Sequence, residues 1–68
     1  MKDSFKNRLK ELRTEKGISQ QKLANEIGAT QKAIDFWEKG INEPKASYII
    51  KLAKYFGVTT DYLLGIEL

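Results

Sequence analysis

The 68-residue chain contains no cysteine and no histidine, which removes thiol nucleophiles, imidazole bases and thiolate- or imidazole-bound metals. Ser19 and Ser47 have no histidine to activate them. The nine carboxylates are scattered among twelve lysines and arginines, without a pair at metal-ligand spacing. These residues point to no enzyme, no cofactor and no metal. The chemistry that remains is non-covalent. A glutamine amide pairs bidentately with adenine, a lysine amine donates to O6 and N7 of guanine, and an aromatic ring packs on the methyl of thymine. Gln31, Lys32 and Phe36 bring these three capacities into one short stretch. Each also has a plainer reading: a solvated lysine, a neutral helix former, and an aromatic folded back on a neighbouring helix.

The elements that must position them are punctuated by glycine. Gly17, Gly28, Gly40 and Gly57 each follow a segment of helical periodicity, and Gly65 follows a shorter one. The spacing predicts a first helix over Ser4 to Lys16, with Phe5, Leu9 and Leu12 on one stripe and Asp3 or Ser4 as N-cap. A second covers Ser19 to Ile27, with Ser19 as N-cap and Ile18 and Leu23 at the two positions of a hydrophobic staple. A third covers Thr30 to Lys39, capped by Thr30, with Ile34 and Trp37 inward. After a loop at 40–44, a fourth runs from Ala46 to Phe56 with Ile49, Leu52, Ala53 and Phe56 inward. Val58 and Thr59 repeat the staple and cap ahead of a fifth helix, Thr60 to Leu64. No segment alternates as a strand does. The expected fold is all-α: one compact five-helix domain spanning residues 1–68.

Within it, residues 20–39 predict a helix, a tight turn and a second helix. Ala24 is small where the two helices must approach, and Gly28 stands where the turn needs a positive φ. Such a unit holds its second helix out rigidly, and the DNA major groove is wide enough to admit it. A helix turns about 100° per residue. With Ile34 and Trp37 inward, Lys32, Phe36 and Lys39 point nearly opposite, and Asp35 points partly outward. Gln31 and Lys32 occupy the first turn.

The stretch Ile18-Ser19-Gln20-Gln21-Lys22-Leu23-Ala24, followed by Ile34-Asp35-Phe36-Trp37-Glu38-Lys39-Gly40, resembles the lambda-repressor-like (Cro/CI-type) helix-turn-helix transcriptional regulators of phages and bacteria. The resemblance continues through Pro44, Leu52-Ala53, Gly57-Val58 and Asp61-Tyr62-Leu63-Leu64, from about residue 9 to 64. It implies a five-helix DNA-binding domain that acts as a homodimer on a two-fold operator. It puts Gln31, Lys32 and Phe36 at positions that touch base edges. It makes Gln20 resemble the family residue that holds a phosphate, with Thr30, Lys39, Asn42 and Lys45 as further phosphate candidates. Glu43 departs from the more basic loops of some relatives. The resemblance also pairs Arg13 with Glu38 as a partly buried structural salt bridge, and it marks Trp37 as core. Family members dimerise through the C-terminal region, where Tyr62, Ile66 and Leu68 are apolar beyond what a short fifth helix needs.

The net charge of +3 is a mild pointer to a polyanion. No apolar run approaches the roughly 20 residues of a membrane span, and the N-terminus lacks the apolar stretch of a signal peptide. Together with the absence of cysteine, these point to the cytoplasm, and the resemblance implies that of a bacterial or phage-infected cell, at the nucleoid. The expected partner is double-stranded DNA, with neither a membrane nor a small-molecule ligand. The alternative is a protein-interaction module or antitoxin-like partner that keeps the fold without the DNA contacts.

Overall fold

Five residues explain how the helices meet. Leu9, Leu23, Ile34, Leu52 and Leu63 are fully buried, and each comes from a different helix. Burying such a side chain contributes about 1.5–3 kcal/mol, set against the entropy of ordering it. The computed structural model describes residues 3–66. Its helices are α1 (Asp3–Lys16), α2 (Gln20–Ile27), α3 (Gln31–Lys39), α4 (Ala46–Phe56) and α5 (Thr60–Leu64), with no strand among the described residues. α2 packs on α3, α1 lies across α3 and α5, and α4 closes against α2 and α5. The domain measures 32 × 24 × 21 Å.

Local sequence accounts for most boundaries. The side-chain oxygens of Ser19, Thr30 and Thr59 accept from the backbone N–H of Lys22, Ala33 and Tyr62, so three helices begin on a hydroxyl cap. Two boundaries differ from the sequence expectation. α1 as described begins at Asp3, so Asp3 and Ser4 lie inside the helix and neither occupies the capping position. Phe56, expected inward, is only half-buried: it packs against the core rim, with its ring edge-on to Tyr55 at 5.1 Å between centroids.

The turn between α2 and α3 is short because Gly28 takes a left-handed conformation, φ 73°, and its N–H returns to the carbonyl of Ala24. Ala24 itself is fully buried, which lets the two helices approach. Tyr48 of α4 secures this unit from behind. Its hydroxyl donates to the Gly28 carbonyl at 3.4 Å, and its ring lies 5.4 Å from that of Trp37. One α4 side chain thus touches the turn and the core side of α3.

Candidate nucleic-acid interface

Three consecutive exposed residues, Thr30, Gln31 and Lys32, open α3. Thr30 spends its hydroxyl oxygen on the cap, accepting from Ala33 N–H at 3.1 Å. Gln31 and Lys32 follow, both exposed. The Lys32 ammonium rests over the ring of Phe36, 5.5 Å from its centroid, and Phe36 is half-buried. The outward aromatic is therefore neither bare nor folded into the core. It forms a ledge on α3 with a cation above it.

Gln31 is not a loose side chain. Its Nε2 donates to Oε1 of Gln20, in the first turn of α2, at 2.5 Å. Gln20 in turn donates from Nε2 to Asp35 Oδ1 at 3.2 Å and to Glu38 Oε1 at 3.0 Å. Glu38 is gripped by Arg13, from Nε to Oε2 at 2.6 Å and from Nη2 to Oε1 at 3.0 Å. The hydrogen bond to Glu38 raises the Arg13 guanidinium above its ordinary value, with burial pulling the other way. A continuous polar chain therefore runs from α1 through α3 and α2 to the exposed amide of Gln31.

Asp35 completes the outer side of this network. Lys39 pairs with it at 2.8 Å, and Gln20 donates to its other oxygen. The bond from Lys39, then that from Gln20, hold the Asp35 carboxyl below the usual aspartate value, against a smaller upward pull from burial. Lys39 thus has an intramolecular partner, although its side chain is exposed.

The loop after α3 holds Asn42, which is exposed, and Lys45, which stands at the N-cap position of α4 without a side-chain cap bond. Of the residues marked for association, Tyr62 is 44% and Ile66 51% exposed, while Leu68 lies outside the described residues. Tyr62 has another contact: the Arg8 guanidinium sits 4.4 Å above its ring and donates to its carbonyl. The sequence did not single out Ile50. It is 47% exposed on α4 beside a shallow apolar groove lined by Pro44, Ala46, Ile49, Thr60 and Leu64. Its signal was available, since Ile50 follows the inward Ile49 and so falls off the buried stripe.

Residues 9–63 match the helix-turn-helix family profile. The chain belongs to the helix-turn-helix family. It is 43% identical over 60 residues to an uncharacterised, SPbeta prophage-derived helix-turn-helix-type transcriptional regulator of Bacillus subtilis, YonR, covering 88% of this chain and 56% of that protein. It is 37% identical over 61 residues to the cryptic phage CTXphi transcriptional repressor RstR of Vibrio cholerae, covering 90% of this chain and 55% of the relative. The chain therefore spans about half the length of these curated relatives. Among solved structures, it is similar to the P22 c2 repressor protein crystallised with a synthetic operator: TM-score 0.87, 28% identity, covering 93% of this chain and 96% of that one. In the helix-turn-helix of this chain, α2 and α3 are the paired helices and Gly28 is the turn glycine.

Proposed function

We propose that this chain is a sequence-specific double-stranded-DNA-binding transcriptional regulator, a repressor of phage or bacterial type, working in the cytoplasm at the nucleoid. α3 enters the major groove. Gln31, Lys32 and Phe36 meet base edges. Gln20, at the N-terminus of α2, with Thr30, Lys39, Asn42 and Lys45, faces phosphates on either side. The observation that carries this reading is the first turn of α3. It presents an exposed amide and an exposed amine on a helix held from behind by Tyr48, Trp37 and the Arg13–Glu38 pair. Its support from outside the chain is the likeness to a repressor crystallised on its operator.

The regulator acts as a homodimer in this proposal. Ile50 and Ile66 are exposed aliphatic side chains, and Ile50 borders an apolar groove. A patch of this kind marks an association surface. A two-fold pair of such domains would place two α3 helices on half-sites about one helical turn, roughly 34–36 Å, apart.

The test is selection of bound duplexes from a random-sequence library at near-physiological salt. A two-fold motif is expected, with affinity falling steeply as salt rises. Lys45→Ala should weaken binding to all sequences alike and lower the salt slope by about one, whereas Gln31→Ala should erase one position per half-site. Recovery of no motif, with binding lost at modest salt, sinks the proposal and leaves the helix-turn-helix as a scaffold for a protein partner.

A further inference from the structure

Between the C-terminal end of α2 and α4 lies a shallow groove lined by Glu26, Ile27, Gly28, Lys51, Lys54 and Tyr55. Its floor is apolar. Ile27 belongs to the core, and Tyr55 packs against that core while staying half-buried. Gly28 spends both of its backbone polar groups inside the molecule. Its N–H returns to the Ala24 carbonyl, and its own carbonyl accepts from the Tyr48 hydroxyl at 3.4 Å. Gly28 therefore offers a ligand apolar surface and no free backbone donor.

The rim is cationic. Lys51 and Lys54 line the groove, and Lys16 of α1 brings its ammonium to 4.9 Å from the centroid of the Tyr55 ring. Lys51 stands over the Tyr48 ring at 5.4 Å. All three lysines are exposed, and among the described residues none of them is in an ion pair. The one carboxylate in the lining, Glu26, is already held by Lys22 at 2.8 Å. α4 itself carries no acidic residue. An apolar floor under unmatched cations complements a carboxylate-rich segment with an apolar side chain between its acids. Nucleic acid fits less well, because phosphates would engage the lysines and leave the floor uncovered.

The groove is also turned away from α3. Gln20 faces α3, where it bonds Asp35 and Glu38. At about 100° per residue, Lys22 lies about 200° and Glu26 about 240° round α2 from Gln20. A segment seated beside Glu26 leaves Gln31 and Lys32 uncovered. We propose that this groove is a docking site for an acidic peptide segment of a partner protein, with an apolar side chain on Ile27, Gly28 and Tyr55 and its carboxylates on Lys16, Lys51 and Lys54. The inference goes beyond DNA binding and does not rest on it.

The experiment titrates the isotopically labelled chain with a short capped peptide of glutamates around a single leucine, at near-physiological salt, and follows the backbone amide resonances. Saturable shifts are expected, concentrated at Glu26, Gly28, Lys51, Lys54 and Tyr55. Replacing the leucine by glycine, or the glutamates by glutamines, should each weaken binding at least about fivefold. Lys51→Glu combined with Lys54→Glu should weaken it at least about tenfold, with thermal melts to check folding. The peptide comparisons use the wild-type chain alone, so they decide the question even where the double variant does not fold. No binding, or shifts spread evenly over surface lysines such as Lys10 and Lys32, overturns the site. So does binding indifferent to the leucine, or a folded double variant that binds as the wild type does. A random-sequence duplex that shifts the groove residues more than the first turn of α3 also overturns it, and assigns this face to nucleic acid.

Discussion

Arg13 holds Glu38 with two side-by-side hydrogen bonds, at 2.6 and 3.0 Å, joining the last turn of α1 to the last turn of α3. The side chains are 13% and 4% exposed, so the pair is largely withdrawn from water. A third guanidinium N–H reaches the carbonyl of Ile18 at 2.9 Å, ahead of the cap of α2. Removing one partner strands the other. Glu38→Ala should cost about 3–5 kcal/mol in urea denaturation, whereas Arg13→Met combined with Glu38→Leu should recover most of that loss. Equal losses in the single and double variants would show that the pair stabilises by itself rather than by mutual compensation.

Gly28 tests the turn. Its φ is +73°, and a Cβ built there meets no atom within 4 Å. Any cost of a side chain is therefore conformational rather than steric. Gly28→Ala should lose about 1–2 kcal/mol, seen as a melting point lower by about 4–8 °C per kcal/mol. Gly28→Asn should lose less, because asparagine tolerates the left-handed region. An asparagine variant as damaged as the alanine variant would point to crowding at the Tyr48 hydroxyl bond instead.

The helices were readable because their ends are marked locally. A hydroxyl cap at Ser19, Thr30 or Thr59 and a glycine at 28, 40, 57 or 65 lie within one turn of the groups they satisfy. The inward stripes were readable for the same reason, since each repeats within a single helix. The start of α1 was not, because Asp3 and Ser4 are equally good caps by type, yet both already lie inside the helix, whose described beginning is Asp3. Gln20 was not either. Its partners Asp35 and Glu38 stand 15 and 18 residues away, and only the crossing of α2 on α3 brings them together. Tyr48 was passed over because the turn it secures belongs to another helix pair.

Asp35 gives the network a pH signature. Its carboxyl is held low by the hydrogen bond from Lys39 and then by that from Gln20. The folded value lies below the unfolded one, so the unfolded chain binds the proton more readily. The stabilisation is present above the ordinary carboxylate range and is lost as pH falls through the lowered folded value. Melting points of the wild type and Asp35→Asn should differ near neutrality and converge as pH falls from the ordinary carboxylate range through the lowered folded value. A gap that stays constant over that range would exclude ionisation of Asp35 as its source.

Ile50 separates association from folding. It is 47% exposed, so replacing it disturbs little of the core. In a two-fold dimer built on the groove beside it, Ile50 would face its symmetry mate or the mate's groove, and a charge there would be buried twice. Ile50→Glu should leave the melting point of the isolated domain nearly unchanged, within about 0.5 kcal/mol. It should shift sedimentation from dimer to monomer. On an operator with two half-sites it should lose about a hundredfold or more in affinity, while binding to one half-site stays as it was. Tyr62→Ala makes the contrast, since Arg8 stacks on the Tyr62 ring and bonds its carbonyl across α1 and α5. That change should lower stability and spare half-site synergy. Were Tyr62→Ala to abolish the synergy and Ile50→Glu to leave it intact, the association surface would lie over α5 rather than over the groove beside α4.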